Sequence, residues 1–118
     1  MSNSTSWVFI GHAIDVPRRG ARRIITSEGP VAVFRTQNDR YFALADRCPH
    51  KNGPLSQGIV HDASVTCPLH NLVVDLETGR TSDADMPCAR TIPVDLRGGE
   101  LWIAAHLGLD VSPMQAAE

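Results

Sequence analysis

The sequence lacks the features of several classes of protein. No apolar run among its 118 residues approaches the roughly 20 residues that a membrane-spanning helix needs. Residues 1–6 contain neither a basic segment nor an apolar one, so we expect no signal peptide there. The formal net charge is only −2, which is too small to indicate binding to nucleic acid or to an anionic membrane. We therefore expect a cytoplasmic protein with neither a membrane nor a nucleic acid as its partner.

The chain also has little of what an independent enzyme needs. It contains no glycine-rich dinucleotide fingerprint, and no pair of a nucleophile and a base can be argued from the sequence. Its composition is nevertheless that of a folded globular protein, with 42% hydrophobic and 20% charged residues. Its length is enough for a modest hydrophobic core, so we expect one domain over residues 1–118.

What the chain does contain is a pairing of cysteine with histidine, and it contains this pairing twice. Two of its three cysteines and two of its five histidines lie in two short motifs, Cys-Pro-His at 48–50 and Cys-Pro-Leu-His at 67–70. Each motif offers one thiolate and one imidazole. Together they match a [2Fe–2S] cluster in which two thiolates hold one iron and two imidazoles hold the other. The predicted metal ligands and cofactor-binding residues are Cys48, His50, Cys67 and His70.

Two other uses of these residues stay open. A tetrahedral zinc site uses the same residue types, although zinc ligand pairs usually have about two to four residues between cysteines and about three to five between histidines. Here each pair is mixed, and the first has a single intervening residue. The other alternative is a disulfide between Cys48 and Cys67, which fits poorly with a chain that has no feature of a secreted protein.

Short apolar runs separated by turn residues predict an all-β fold with almost no helix. The predicted strands are 7–10, 21–26, 31–35, 41–45, 58–61, 64–66, 72–76, 89–95 and 101–104. Short connections between the strands from 21 to 45 favour an antiparallel meander, and Gly98-Gly99 is typical of a hairpin turn. Residues 107–118 mix glycine, proline, alanine and polar residues with weak periodicity, so we expect a flexible tail there or a segment that orders against a partner.

Other distinctive side chains are better explained by structure than by chemistry. Trp7 is expected in the core or on a sheet face, Trp102 in the core, and Cys88 as a partly buried thiol without a partner. Four arginines between residues 18 and 23 form a basic cluster. We expect a solvated strand edge there, where charge discourages pairing between sheets. A docking patch for an acidic partner is the alternative.

The two cysteine–histidine motifs resemble the signature of the Rieske iron–sulfur domain. The finer resemblance is to the small subunit of the bacterial assimilatory NAD(P)H-dependent nitrite reductase, and it extends over roughly residues 5–105. The resembling stretches include 48–61, 66–71, 74–79 and 88–91. The resemblance implies an antiparallel β-sandwich with a small cluster-binding subdomain, which two loops form at about residues 46–76.

The same resemblance implies a function. Such a small subunit carries a Rieske-type [2Fe–2S] cluster and transfers electrons within an oxidoreductase that reduces nitrite to ammonia. Its large partner subunit carries FAD, an iron–sulfur cluster and sirohaem, so the isolated chain would only transfer electrons. The alternative is a free-standing Rieske ferredoxin that donates electrons to a ring-hydroxylating dioxygenase. A third interpretation is a zinc-stabilised interaction module without a redox role.

Differences from high-potential Rieske proteins indicate a low reduction potential. Those proteins have an extra cysteine in each loop, joined as a disulfide, where this chain has Gly53 and Leu69. They also provide a serine and a tyrosine hydroxyl to the cluster sulfurs after the second histidine, where residues 71–74 contain no hydroxyl. Hydrogen bonds to sulfur stabilise the reduced cluster and raise its potential.

We therefore predict a midpoint potential near the low end of the Rieske range, about −150 mV. A redox titration followed by EPR spectroscopy measures it directly. A value above roughly +100 mV would contradict the argument from the missing hydroxyl groups.

Overall fold

In the computed structural model, the described residues are 5–26, 29–47, 54–67, 72–83, 85 and 87–106. They form antiparallel β-sheets and two single turns of 3₁₀ helix, at Ala13–Asp15 and Leu55–Gln57. The strands are β1 (Thr5–His12), β2 (Gly20–Thr26), β3 (Gly29–Arg35), β4 (Tyr41–Ala45), β5 (Ile59–His61), β6 (Ser64–Thr66), β7 (Val73–Asp75), β8 (Thr91–Ile92), β9 (Val94–Arg97) and β10 (Glu100–His106). The all-β prediction is confirmed. Across these residues, no helix is long and apolar enough to cross a membrane.

The strands are arranged in three sheets. The central sheet has the order β2-β3-β4-β8, a second sheet has the order β1-β10-β9, and a small third sheet has the order β5-β6-β7. The pairing of β2 with β3 and of β3 with β4 is antiparallel, which confirms the predicted meander. The small sheet lies within the expected subdomain at 46–76. The boundaries of that subdomain stay a prediction, and the expected tail at 107–118 lies outside the described residues.

Strand β3 is buried on both of its faces. Val31 and Val33 belong to one hydrophobic core, whereas Ala32 and Phe34 belong to another. Successive side chains of a strand point to opposite faces of its sheet, so the central sheet has a core on each side. The continuous apolar run at 31–34 is therefore the sequence pattern of a strand without a solvent face.

One core joins the central sheet to the β1-β10-β9 sheet, and we call it the base core. Its buried residues are Ile10, Val16, Ile24, Val31, Val33, Ala43, Leu101 and Ile103. The other joins the central sheet to the small sheet, and we call it the loop-side core. Its buried residues are Ala32, Phe34, Leu44, Leu55, Val60, Val65, Cys67, Leu72, Val74, Leu76 and Ala89. One of the predicted metal ligands, Cys67, is thus a member of a hydrophobic core.

The predicted strand at 89–95 is wrong, because the chain forms two strands there that belong to different sheets. Ile92 of β8 pairs with Ala43 of β4 in the central sheet, and Val94 of β9 pairs with Ile103 of β10 in the second sheet. Pro93 lies between them. Proline has no N–H group to continue a ladder of hydrogen bonds, so the chain leaves one sheet at this residue and enters the next.

The two tryptophans lie on the outer face of the β1-β10-β9 sheet. Trp7 is 40% exposed, which confirms the expected position on a sheet face. Trp102 is half-buried, so the expectation that it lies in the core is wrong. The Arg97 guanidinium lies 5.4 Å from the Trp7 ring centroid and 5.1 Å from that of Trp102. This one cation covers part of both rings by cation–π contact.

Two of the four arginines at 18–23 form ion pairs within the molecule. Arg18 forms an ion pair with Asp39 at 3.1 Å, and Arg23 forms one with Asp46 at 3.0 Å. Hydrogen bonds from Arg18 and from Arg35 lower the pKa of Asp39 to about 2, because they favour its charged form. These internal pairings support the strand-edge interpretation over a docking patch.

Gly79 lies where the chain after β7 passes the backbone of Ala89. Its φ is +80°, the Ala89 N–H donates to its carbonyl at 2.8 Å, and a Cβ at this position would overlap the Ala89 carbonyl oxygen. Gly98 shares the positive φ, at +54°, but a Cβ there would have no neighbour within 4 Å. An alanine at either position would suffer backbone strain, but only an alanine at position 79 would also overlap a neighbouring atom.

We predict that Gly79→Ala destabilises the protein more than Gly98→Ala does. Both variants place an L-residue in the left-handed region, which costs about 1–2 kcal/mol. In Gly79→Ala the new Cβ also overlaps the Ala89 carbonyl oxygen, which costs about a further 1–3 kcal/mol. Urea unfolding of the two variants and of the wild type measures the difference, and equal losses of stability would contradict the close approach to Ala89.

Candidate metal centre

The structure describes one of the four predicted ligands. Cys48, His50 and His70 lie outside the described residues, and Cys67 lies directly after β6. The assignment of four ligands therefore stays a prediction. The residues that flank the two motifs are described, and they show how each motif is held.

Cys67 is fully buried and is a free cysteine. Its neighbours in the loop-side core are apolar, and they include Val65 on β6 and Val74 on β7. A free thiol at the edge of an apolar core fits a ligand of a buried iron, because burial shields the metal–thiolate bond from water.

Backbone hydrogen bonding closes the second ligand segment, residues 67–72. The Cys67 N–H donates to the Leu72 carbonyl at 2.7 Å, and the adjacent residues Thr66 and Val73 pair between β6 and β7. The motif at 67–70 is thus a short connection between two paired strands. The register of the strands fixes where its ends lie.

Side-chain hydrogen bonding closes the first ligand segment, residues 46–56. The Ser56 N–H donates to Asp46 Oδ1 at 2.7 Å, and the Ser56 hydroxyl donates to Asp46 Oδ2 at 2.7 Å. Asp46 directly follows β4, and Ser56 lies in the second 3₁₀ turn. The two ends of the segment that carries Cys48 and His50 are therefore joined.

The structure brings the ends of the two ligand segments to one core. Leu55 at the end of the first segment and Leu72 at the end of the second are both buried in the loop-side core with Cys67. Gly58 permits this approach, since a Cβ there would lie 2.8 Å from Val65 Cγ2. Two segments that meet over one apolar core, one of them contributing a buried thiol, fit a cluster held between two loops.

The expectation that Cys88 is partly buried is wrong. Cys88 is exposed, and the buried residue of its segment is Ala89, whose N–H is bonded to Gly79. In an extended segment the neighbours of an inward residue point outwards, which explains the exposure of Cys88. Pro87 is also exposed, and its expected packing over the cluster stays a prediction.

Sequence reasoning missed Asp46 and Ser56 and saw Arg23 only as part of a basic cluster. Arg23 Nε lies 3.0 Å from Asp46 Oδ2 in an ion pair, and the Asp46 side chain has no exposed surface. The available signal was an acidic residue directly before the first motif. Nothing local in the sequence shows that this carboxylate is buried.

Comparison with known proteins identifies the family. The chain matches the model of the Rieske [2Fe-2S] domain over residues 6–95. It belongs to the Rieske [2Fe–2S] domain family. Its cofactor is therefore a Rieske-type [2Fe–2S] cluster, which accepts and releases one electron at a time, and the chain is an electron-transfer protein of oxidoreductase systems.

Similar proteins occur in more than one redox system. The ferredoxin subunit of 3-phenylpropionate/cinnamic acid dioxygenase from Shigella flexneri is 39% identical over 92 residues, which cover 75% of this chain and 84% of that relative. A chain from Mycobacterium tuberculosis, described as an NADH-dependent nitrite reductase small subunit, has a TM-score of 0.78 at 19% identity. That match covers 87% of this chain and 97% of the other chain. The ferredoxin of carbazole 1,9a-dioxygenase from Nocardioides aromaticivorans IC177 has a TM-score of 0.75 at 21% identity. That match covers 92% of this chain and 98% of that ferredoxin.

At these identities, the two structural likenesses show the shared fold alone. Other relatives are much longer than this chain. The matched region is 30% of a chain described as the iron–sulfur subunit of a toluene-4-sulfonate monooxygenase system from Comamonas testosteroni. It is 24% of the vanillate O-demethylase oxygenase subunit from a Pseudomonas species.

We predict that Cys67→Ser loses most of the iron and sulfide, whereas Cys88→Ser retains both. In the first variant serine replaces a predicted thiolate ligand of the cluster, and in the second it replaces an exposed thiol outside the predicted ligand set. Iron and sulfide assays together with EPR spectra of the dithionite-reduced proteins measure the outcome. Far-UV circular dichroism confirms that each variant is folded. Loss of the cluster in Cys88→Ser would contradict the assignment of the ligands.

Proposed function

We propose that this chain is the electron-transfer small subunit of an NAD(P)H-dependent assimilatory nitrite reductase in the cytoplasm. Its partner would be the large subunit that carries FAD, an iron–sulfur cluster and sirohaem and reduces nitrite to ammonia. In this proposal Cys48 and Cys67 hold the inner iron, and His50 and His70 hold the outer iron through which electrons enter or leave.

The observation that carries this proposal is the residue pattern beyond the four ligands. Asn71 follows the second histidine, where most Rieske ferredoxins have glycine. The sequence Cys-Ala-Arg-Thr at 88–91 also resembles the nitrite reductase branch. Ala89 anchors this sequence in the loop-side core, while Cys88 and Arg90 are exposed. The residues on both sides of Ala89 thus lie at the surface of the described chain.

The missing hydroxyl groups after the second motif agree with the same proposal. They favour a low potential, and a low potential suits transfer between a flavin or reduced pyridine nucleotide and a sirohaem acceptor. The likeness to a nitrite reductase small subunit is one of fold and chain size, which is consistent with the proposal.

A free-standing ferredoxin for a ring-hydroxylating dioxygenase is the second candidate. The specific observation in its favour is the 39% identity to a dioxygenase ferredoxin subunit over most of that subunit's length. Both candidates use the same cluster and differ in the acceptor of the electron. Membership of the Rieske family replaces the third interpretation, a zinc-stabilised module.

The acceptor decides between the two candidates. We predict that a sirohaem-containing large subunit from the same genome sustains repeated reoxidation of the chain, in the presence of excess reductant, only when nitrite is present, with ammonia as the product. Stopped-flow absorbance of the cluster and an ammonia assay measure the two events, and the Cys67→Ser variant is the control that carries no electron. Reoxidation by an oxygenase component with its aromatic substrate and O₂, and none by the nitrite reductase subunit, would contradict the proposal and support the ferredoxin.

A further inference from the structure

Asp46 is a buried carboxylate with two hydrogen-bond donors and one ion-pair partner. Its side chain has 0% exposure. It accepts the Ser56 N–H on Oδ1 and the Ser56 hydroxyl on Oδ2, and Arg23 Nε lies 3.0 Å from Oδ2 in an ion pair. A buried charge is unfavourable unless it is paired and hydrogen-bonded. Here both oxygens are satisfied, so the charge is tolerated at this position only together with these partners.

These contacts connect different parts of the chain at the base of the first ligand segment. Asp46 lies two residues before Cys48, and its N–H donates to the Pro30 carbonyl of β3 at 2.9 Å. Ser56 lies at the other end of the segment, in the 3₁₀ turn whose Leu55 is buried in the loop-side core. The carboxylate therefore joins the start of the segment, which is fixed to β3, to its end, which is fixed to the core.

Arg23 adds a third connection, from β2. It pairs with Ala32 in the register of β2 and β3, and Ala32 belongs to the loop-side core. The Arg23 side chain is therefore on the same face of the central sheet as the ligand segments. It is 53% exposed, so it compensates the buried carboxylate from the solvent side.

Asp39 provides a natural comparison at the opposite end of β3 and β4. It is also paired with two arginines, Arg18 at 3.1 Å and Arg35 at 2.8 Å, but its side chain is 47% exposed. Exposed ion pairs of this kind contribute little to stability. Buried ion pairs are often no more stabilising than apolar residues of the same size. The burial of Asp46 is therefore better explained by a requirement for geometry than by a gain in stability.

We propose that Asp46, held by Ser56 and Arg23, is a positioning residue for the first ligand segment. By fixing both ends of this segment on the loop-side core, it sets where Cys48 and His50 stand relative to Cys67. The inference rests on the proposed ligand assignment and not on the identity of the redox partner.

The test compares variants at Ser56 and Asp46 with a matched carboxylate elsewhere. Ser56→Ala removes the hydroxyl donor and leaves the N–H donor, and Ser56→Thr keeps both. Asp46→Ala removes both hydrogen bonds and the ion pair with Arg23. Asp39→Asn is the control, because it disrupts an arginine–carboxylate cluster far from the ligand segments. The readouts are the EPR g-values and linewidths of the reduced cluster and the rate of iron loss to a chelator.

We expect Ser56→Ala and Asp46→Ala to broaden or shift the EPR signal and to speed iron loss about tenfold for each lost hydrogen bond to the charged carboxylate. We expect Ser56→Thr to restore both wild-type values and Asp39→Asn to leave both unchanged. Wild-type spectra and iron-loss rates in Ser56→Ala, or changes of equal size in Asp39→Asn, would overturn the proposal. The Ser56 pair decides the question even if Asp46→Ala does not fold. Neither readout involves a partner protein, so failure here is distinct from failure of the proposed function.

Discussion

The burial of β3 on both faces is the constraint on which the rest of the structure depends. A strand with a core on each side must be covered by two further layers, and the flanking sheets provide them. Val31 and Val33 face the base core, while Ala32 and Phe34 face the loop-side core. Each fully buried side chain of this size contributes about 1.5–3 kcal/mol, with smaller contributions from alanine. The central position of β3 explains why residues far apart in sequence meet around it.

The predicted ligand segments of the redox centre begin and end at one of these cores. Cys67, Leu55 and Leu72 place the ends of both ligand segments on the loop-side core, and hydrogen bonds close each segment on itself. One segment is closed by backbone pairing within a sheet. The other segment depends on a buried carboxylate, Asp46. The two ends of that segment belong to different elements, which share no ladder of backbone hydrogen bonds. The two halves of the site are therefore positioned by different kinds of interaction.

The local part of this structure could be predicted from the sequence, and the non-local part could not. Apolar runs, turn residues and the two cysteine–histidine motifs are local signals, and they predicted most strands and the type of cluster. Pro93 signals a break, but no local feature shows which sheet each neighbouring strand joins. The burial of Asp46 depends on Arg23 and Ser56, which only the folded chain brings together. The exposure of Cys88 was missed because it depends on Ala89 pointing inwards.

The pairing of β1 with β10 has a consequence for how the protein is made. These strands come from opposite ends of the described chain, and Leu101 and Ile103 of β10 complete the base core. During synthesis on the ribosome, β1 has no partner until β10 has emerged. The base therefore closes after translation of almost the whole domain, and by then both cysteine–histidine motifs are already outside the exit tunnel. Iron and sulfide delivery can thus act on motifs whose supporting strands have all been synthesised.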